Sequence, residues 1–115
     1  MFKFFKNPFK SRKIVPGVLF ALKGRFPEKA DIVVHSSEDG GYWAEIKNLP
    51  GCITQAENGT ELFEMINDAI YSYLDVPEEY IPFVPTYFPP EETRKNLNIK
   101  IPENFLKKEI VFQRS

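Results

Sequence analysis

Cys52 and His35 are the first residues whose chemistry stands out, because the chain has one cysteine and one histidine. A cysteine nucleophile needs a lowered pKa and a nearby base, and His35 is the only imidazole that could serve. The sequence alone does not bring the two side chains together. Cysteine is among the most commonly buried residue types and packs as a small apolar group, so we expect Cys52 to be structural.

Carboxylates are the other candidates for chemistry. A metal-dependent nuclease needs several acids that converge on divalent ions, but Asp31, Glu45 and Asp68 lie on different predicted elements. The glycines of EDGG lack the strand–loop–helix setting of a phosphate-binding loop. One cysteine and one histidine also exclude a Cys-rich or multi-His metal centre. We therefore expect no enzymatic activity, no cofactor and no metal site.

Length, cysteine content and charge limit the classes of protein to which this chain can belong. A chain of 115 residues suits one domain, and a single cysteine favours a reducing, cytoplasmic setting. Residues 1–27 carry seven Lys/Arg and no acid, whereas residues 28–115 carry eight Lys/Arg and sixteen Asp/Glu. A basic arm on an acidic body predicts an anionic partner for the arm, which is either a separate molecule or the body itself.

Residues 1–29 form a basic, aromatic N-terminal extension. Its apolar run, residues 14–22, is too short to span a bilayer and is followed by Lys23 and Arg25 instead of a small-residue cleavage site. We expect no signal peptide and no membrane partner, and we interpret the run as a short strand or a turn of helix. The arm before it either docks on protein or contacts nucleic acid or another anionic surface through five cations, Lys3, Lys6, Lys10, Arg12 and Lys13.

Three short strands are predicted next, at residues 30–36, 42–46 and 52–56, joined by turns at Asp39-Gly40-Gly41 and Pro50-Gly51. They form an antiparallel meander. Strand alternation predicts two faces, one with Tyr42, Ala44 and Ile46 and the other with Trp43, Glu45 and Lys47. Small residues at 44 and 52 let a helix approach closely, so we expect the first face to pack inside. The second face would then contact a subunit or a partner.

A helix over about residues 61–75 follows, with Thr60 as its N-cap. Its apolar stripe has helical spacing and comprises Leu62, Met65, Ile66, Ala69, Ile70, Tyr73 and Leu74. Residues 30–76 thus form a β-β-β-α core. The Pro-rich residues 77–96 are predicted to run extended, pinned by Tyr80, Phe83, Tyr87 and Phe88. Residues 97–115 are predicted to form a strand, at 97–101, and a short helix in the same domain. The fold class is α+β.

The segment DGGYWAEIKNLPGCITQAENGTELFEMINDAIYSYLD, residues 39–75, resembles the HicB antitoxin-like family. The shared motifs are an Asp-Gly-Gly-Tyr turn, a Leu-Pro-Gly-Cys turn with a Thr-Gln after it, and a helix with a central alanine. In this chain they are Asp39, Gly40, Gly41, Tyr42, Ala44, Leu49, Pro50, Gly51, Cys52, Thr54, Gln55 and Ala69. With the strand before it, the match covers residues 30–75.

The resemblance implies a partial ribonuclease-H-like fold with a meander, a helix and a further strand. It also implies a non-enzymatic, oligomeric protein, a dimer or a tetramer, that binds and neutralises a small HicA-like mRNA-cleaving toxin. Many members of the family carry a C-terminal DNA-binding unit. Here residues 97–109 resemble the strand and first helix of a ribbon-helix-helix unit, but the chain is too short for a second helix and for a helix-turn-helix. DNA binding is therefore not the expected role.

Other features depart from the family pattern. Glu64 stands four residues after Thr60 instead of three, so the capping box is not intact and the helix start is expected to shift. The N-terminal extension and the Pro-rich segment are also unusual. Two alternatives stay open: an orphan HicB-like domain with a different partner, and nucleic-acid binding through the arm.

Overall fold

The fold is a three-stranded antiparallel sheet with helices, in the order α1 (Pro16–Arg25), β1 (Ile32–Ser36), β2 (Tyr42–Ile46), β3 (Ile53–Ala56), α2 (Gly59–Tyr73), a 3₁₀ helix (Glu78–Phe83) and α3 (Glu91–Asn96). This computed structural model describes residues 14–101. The sheet order is β1-β2-β3, with Val34 opposite Ala44 and Ala44 opposite Thr54. The α+β class and the meander followed by a helix are confirmed. Residues 1–13, with the five cations of the arm, and residues 102–115 lie outside the described range.

The two predicted turns are formed by glycines that the backbone requires. Gly40 and Gly51 have φ of 100° and 84°, in the left-handed region that favours glycine. Cys52 N donates to Leu49 O at 2.9 Å, so Pro50 and Gly51 occupy the central positions of a turn for which this pair is suited. Gly41 is needed for a different reason, since a Cβ there would lie 2.7 Å from the carbonyl oxygen of Ala56. The two motifs therefore set the geometry of the meander.

Helix α2 packs on the sheet face that carries the even-numbered residues of β2. Ala44 and Ile46 are 0% and 1% exposed and belong to one core cluster with residues of α2, Leu62, Ile66 and Ile70. Cys52 lies in the same cluster. The small Ala44 side chain allows the helix to approach, as the sequence predicts. We call this the inner face of the sheet and the opposite side the outer face.

The start of α2 differs from the prediction. Asn58, not Thr60, is the N-cap, and its Oδ1 accepts from Glu61 N at 2.8 Å. Glu61 Oε1 accepts from Glu57 N at 3.0 Å, so the asparagine and the glutamate three residues later form a reciprocal pair like a capping box. Thr60 Oγ1 instead accepts from Lys100 N at 2.9 Å. Asparagine caps a helix at least as well as threonine, which explains the earlier start.

A second face of α2 holds the Pro-rich segment. Asn67 is buried, and its Oδ1 accepts from Tyr87 N at 2.7 Å while its Nδ2 donates to Tyr87 O at 3.1 Å. The hydroxyl of Tyr71, one turn further on, lies 2.9 Å from Thr86 Oγ1. Phe63 is buried as well. The apolar pattern of the sequence does not reveal this face, because the polar Asn67 at its centre interrupts the pattern.

The prediction of an extended course for residues 77–96 is wrong at both ends of the segment and holds only for the residues between the two helices, 84–90. The segment contains the 3₁₀ helix and α3, with Pro77 and Pro90 as the residues just before them. The first N–H groups of a helix have no partner within it, so proline is compatible with a helix start. Tyr80 and Tyr87 are buried as predicted and Phe88 is half-buried, but Phe83 is 49% exposed.

The predicted strand at residues 97–101 is also wrong. Leu97 is the C-cap of α3, and Asn98 has φ of 56°. Ile99 N donates back to Arg94 O at 2.9 Å, which closes the helix with a left-handed turn instead of an extended strand. The carbonyl oxygen of Leu97 then packs against Gly59, where a Cβ would collide with it. This contact ties the end of α3 to the start of α2.

Helix α1 packs beside the C-terminal end of α2, which confirms the helical alternative for residues 14–22. Leu22 is buried in a second cluster with Tyr71, Tyr80 and Val84. Arg25 donates to Leu74 O at 2.7 Å, at the carbonyl end of α2 where a cation is favoured. Among residues 14–101 no helix has both the length and the apolar character needed to cross a membrane.

Candidate functional site

The outer face of the sheet is the candidate site, because α2 covers the inner face. It carries the side chains that alternate with the core positions, namely Val33, His35, Trp43, Glu45, Ile53 and Gln55. Ile53 is 56% exposed, although isoleucine is usually buried. Within residues 14–101, α2 is the helix with extensive contacts to the sheet, and these contacts lie on the inner face. The face therefore offers apolar and aromatic surface to another molecule.

Trp43 is at the centre of the outer face and has a partner on each side. His35 is directly opposite it on β1, and the two rings stack with centroids 4.0 Å apart and planes at 15°. Gln55 is opposite it on β3. Such a cross-strand aromatic pair stabilises the sheet. The face thus presents an aromatic platform.

Glu45 extends this platform with a carboxylate. Its Oε1 lies 3.5 Å from His35 Nε2, and both side chains are about one-third exposed. His35 Nε2 is itself buried and has no hydrogen-bond partner among the described residues. A small shift of the carboxylate would satisfy this nitrogen.

Of the three residues predicted to contact a partner, two lie on the outer face and one lies at its rim. Trp43 and Glu45 lie together on the outer face, as the alternation predicts. Lys47 follows the end of β2 in the turn, where it is exposed. Its side chain therefore lies at the rim and not at the centre of the surface. The predicted contacts of the arm, from Lys3 to Lys13, lie outside the described residues.

Cys52 does not form a site with His35. The thiol is in the core between the sheet and α2 and is 5% exposed, whereas the imidazole is on the outer face. Burial raises the pKa of the Cys52 thiol above its ordinary value. A nucleophilic cysteine needs the opposite shift. The geometry agrees with the expectation that Cys52 is a small packing residue.

The three carboxylates considered for metal chemistry do not converge. Asp31 precedes β1, Glu45 is on the outer face of β2, and Asp68 is on α2, which covers the other side of the sheet. In the described part of the chain, no three His, Cys, Asp or Glu side chains are grouped so that they could hold a metal ion.

A polar groove at one end of the sheet escaped the sequence analysis. It has a volume of about 530 Å³ and runs between the Gly40-Gly41 turn and the start of α2. Three carboxylates line it, those of Asp39, Glu57 and Glu61. The sequence does contain a signal for this groove. A meander brings its first turn beside the end of the third strand, and acidic residues occur at both positions. One of these carboxylates has a structural role, because Glu61 Oε1 accepts a hydrogen bond from Glu57 N at the start of α2.

Comparison with known proteins gives one informative relative. The chain is 46% identical over 48 residues to a UPF0150 protein of Archaeoglobus fulgidus, and the aligned region spans 42% of this chain and 70% of the relative. No protein-family model and no solved structure matches. Identity of this level over more than two thirds of the relative shows common membership, and the chain therefore belongs to the UPF0150 family.

Proposed function

We propose that this protein is an antitoxin-like binding protein that neutralises a small, basic, mRNA-cleaving toxin of the HicA type by direct contact. The resemblance of residues 39–75 to HicB antitoxins supports this class of function. The observation that carries the proposal is the outer face of the sheet, where Trp43 stacks on His35 beside the exposed Ile53. Tryptophan is enriched among the few residues that carry most of the binding energy at protein interfaces.

The charge of the body supports a basic partner. Residues 28–101 contain five Lys/Arg and fourteen Asp/Glu, and α2 contains Glu61, Glu64 and Asp68 but no basic residue. An RNA-cleaving protein needs positive surface to bind phosphates, so an acidic body would attract it and speed association. The proposed toxin contact places Trp43 at the centre and Glu45 and Lys47 toward the rim.

We also propose that the protein forms a homo-oligomer, a dimer or a tetramer, in the cytoplasm. A sheet covered on one side by a single helix leaves apolar surface that a second copy can bury. The outer face of one subunit cannot bind a second copy and the toxin at the same time. If the oligomer forms through the outer face, toxin binding should dissociate it, and measuring the molecular mass with and without toxin tests this.

Co-expression with the neighbouring gene tests the function. If a small basic protein encoded beside this gene arrests growth, the wild-type chain should restore growth and co-purify with it. Ile53→Asp places a charge at the exposed position of the outer face and should abolish both effects without unfolding the chain. Phe20→Ala, at an exposed aromatic residue on α1, is the matched control and should still rescue.

Two outcomes would contradict the proposal. Growth rescue by Ile53→Asp equal to wild type would show that the outer face does not bind the toxin. A neighbouring gene whose product is neither toxic nor bound, together with stable recovery of a different partner, would favour an orphan domain of the same fold. Thermal unfolding of each variant confirms that the protein tested is folded.

A further inference from the structure

Strand β3 lies at one edge of the sheet and has backbone groups that point away from it. Ile46 N donates to Cys52 O at 2.9 Å, so the even-numbered residues of β3 bond to β2. The N–H and C=O groups of Ile53 and Gln55 therefore point outward. Among residues 14–101, no backbone hydrogen bond reaches these four groups. An open strand edge of this kind is a template for pairing with another chain.

Helix α2 carries an apolar stripe beside this edge. Met65, Ala69 and Tyr73 follow one another at four-residue spacing on one side of the helix. Tyr73 Oη donates to Pro50 O at 2.9 Å, in the turn that leads into β3, so the stripe lies on the β3 side of α2. Met65 and Ala69 are half-buried, and Tyr73 is 45% exposed. Because β3 has only four residues, this stripe supplies apolar area that pairing of the strand alone would lack.

A two-fold axis beside β3 would let a second copy of this chain fill both features. Antiparallel pairing of β3 with itself can place Ile53 opposite Gln55 of the second copy, with the two Thr54 residues opposite each other on the axis. Every outward N–H and C=O would then have a partner. Neighbouring strands lie about 4.8 Å apart, and α2 contacts both β2 and β3, so the two α2 axes would lie roughly 10 Å apart. Helices pack at about this distance.

Charge also favours a second copy as the occupant. The strand edge and the helix stripe carry no charged side chain, so nothing at their centre repels a second copy. The exposed Glu57 follows one end of β3, and the exposed Lys47 lies in the turn at the other end. Antiparallel pairing brings the Glu57 end of each strand to the Lys47 end of the other. The two ends therefore attract each other in this arrangement.

We propose that β3 and the Met65–Ala69–Tyr73 stripe of α2 together form a dimer interface with a second copy of this chain. The dimer has one continuous sheet of six strands, with the two α2 helices packed side by side on its inner face. This inference rests on the homo-oligomer of the proposed function and names the sheet edge, not the outer face, as the place where the copies meet. The outer face of each subunit stays open, so each can bind a toxin molecule.

Sedimentation equilibrium of the full chain tests the interface in the absence of toxin. The wild type should be a dimer at micromolar concentration. Gln55→Pro removes an outward N–H but takes no donor from the β2–β3 ladder, and proline is tolerated at such an edge position. It should raise the dimer dissociation constant by about tenfold, because two hydrogen bonds are lost across the axis. Gln55→Ala keeps the N–H and is the matched control, which should dimerise like the wild type.

A charge swap tests the same interface without changing the backbone. Lys47→Glu and Glu57→Lys should each raise the dissociation constant by about threefold, since each places like charges at both ends of the paired strands. The double variant restores opposite charges and should dimerise like the wild type. Thermal unfolding shows which variants are folded. If Gln55→Pro does not fold, the charge swap decides.

The outcomes separate this inference from the function it rests on. A chain that stays monomeric at every concentration would overturn both the interface and the proposed homo-oligomer. A dimer that Gln55→Pro and the charge variants leave unchanged would overturn only the assignment to the β3 edge. Toxin should add its mass to an intact dimer, and a toxin that dissociates the dimer would contradict the separation of the two surfaces. Growth rescue by the wild-type chain tests toxin neutralisation independently of these measurements.

Discussion

The two faces of the sheet belong to the same three strands but differ in what covers them. The inner face is closed by α2 and contains the most buried side chains, such as Ala44 and Ile46. The outer face carries an aromatic stack, a carboxylate and an exposed isoleucine. A change on the inner face should thus be felt as lost stability, and a change on the outer face as lost binding. Each prediction below tests that division.

Ile46→Ala should have the largest effect on stability. Removing a fully buried isoleucine side chain is expected to lower the free energy of unfolding by about 2–5 kcal/mol. Ile53→Ala is the matched control, because it removes the same atoms from the exposed position on the neighbouring strand, and it should cost less than about 1 kcal/mol. Urea denaturation followed by circular dichroism measures both. Equal losses would show that the outer face is covered in the folded protein.

Asn67→Ala should have the second-largest effect on stability, because Asn67 holds the Pro-rich segment against α2, the helix that covers the inner face. It pins the backbone of Tyr87 to α2 through two hydrogen bonds. Alanine would leave a buried N–H and carbonyl without these bonds, at a cost of about 1–3 kcal/mol. Asn67→Asp keeps the acceptor for Tyr87 N but turns a buried carboxylate toward the carbonyl oxygens of Phe63 and Tyr87, so at neutral pH it should lose at least as much stability as alanine. An Asn67→Ala protein as stable as wild type would mean that the Pro-rich segment is not coupled to the sheet.

Alkaline pH should weaken the inner face through Cys52. Burial raises the pKa of this thiol, so the folded state holds its proton at a pH where the unfolded chain has lost it. The resulting stability is complete below about pH 8.5, the ordinary thiol pKa, and is lost as the pH rises through the higher folded value. Urea midpoints between pH 7 and pH 10 should fall in wild type and fall less in Cys52→Ala.

Tyr71 provides the reference for that experiment. Burial, opposed by the hydrogen bond with Thr86 and reinforced by the charge of Asp68, raises the pKa of its hydroxyl as well. The stability that Tyr71 contributes through this raised pKa should remain in Cys52→Ala and be lost only above about pH 10. A wild-type profile parallel to that of Cys52→Ala between pH 8 and pH 10 would contradict the assignment to the thiol. Rapid reaction of the native thiol with a maleimide would show directly that Cys52 is accessible.

Local patterns predicted the inner face well. Alternation over Tyr42–Ile46, small residues at 44 and 52, and helical spacing in α2 all reflect burial by one partner. The Gly40 and Gly51 turns were predictable too, because few residues other than glycine adopt a positive φ. These features depend on short stretches of chain, which the sequence displays directly.

The errors arose where the structure depends on distant partners. Leu97 was assigned to a strand from alternation, but it packs on Gly59, and nothing near Leu97 in the sequence shows that contact. Asn67 interrupts an apolar pattern, and nothing near it in the sequence shows that its side chain binds the backbone of Tyr87. Prolines suggested an extended course, although the same residues start the 3₁₀ helix and α3. For the candidate site, alternation placed Trp43 and Glu45 correctly but could not show the stacking of His35.

The smallest effect concerns the outer face itself. His35 and Trp43 form a stacked cross-strand pair, and such pairs contribute about 0.2–1 kcal/mol to a sheet. A double-mutant cycle with His35→Ala, Trp43→Ala and the double variant should give a coupling energy in this range. Urea denaturation of the free protein measures it, and the same four proteins measured for toxin binding should lose far more affinity than stability. A coupling well above 1 kcal/mol in the free protein would mean that the outer face contributes to folding as the inner face does, and the division of work between the two faces would fail.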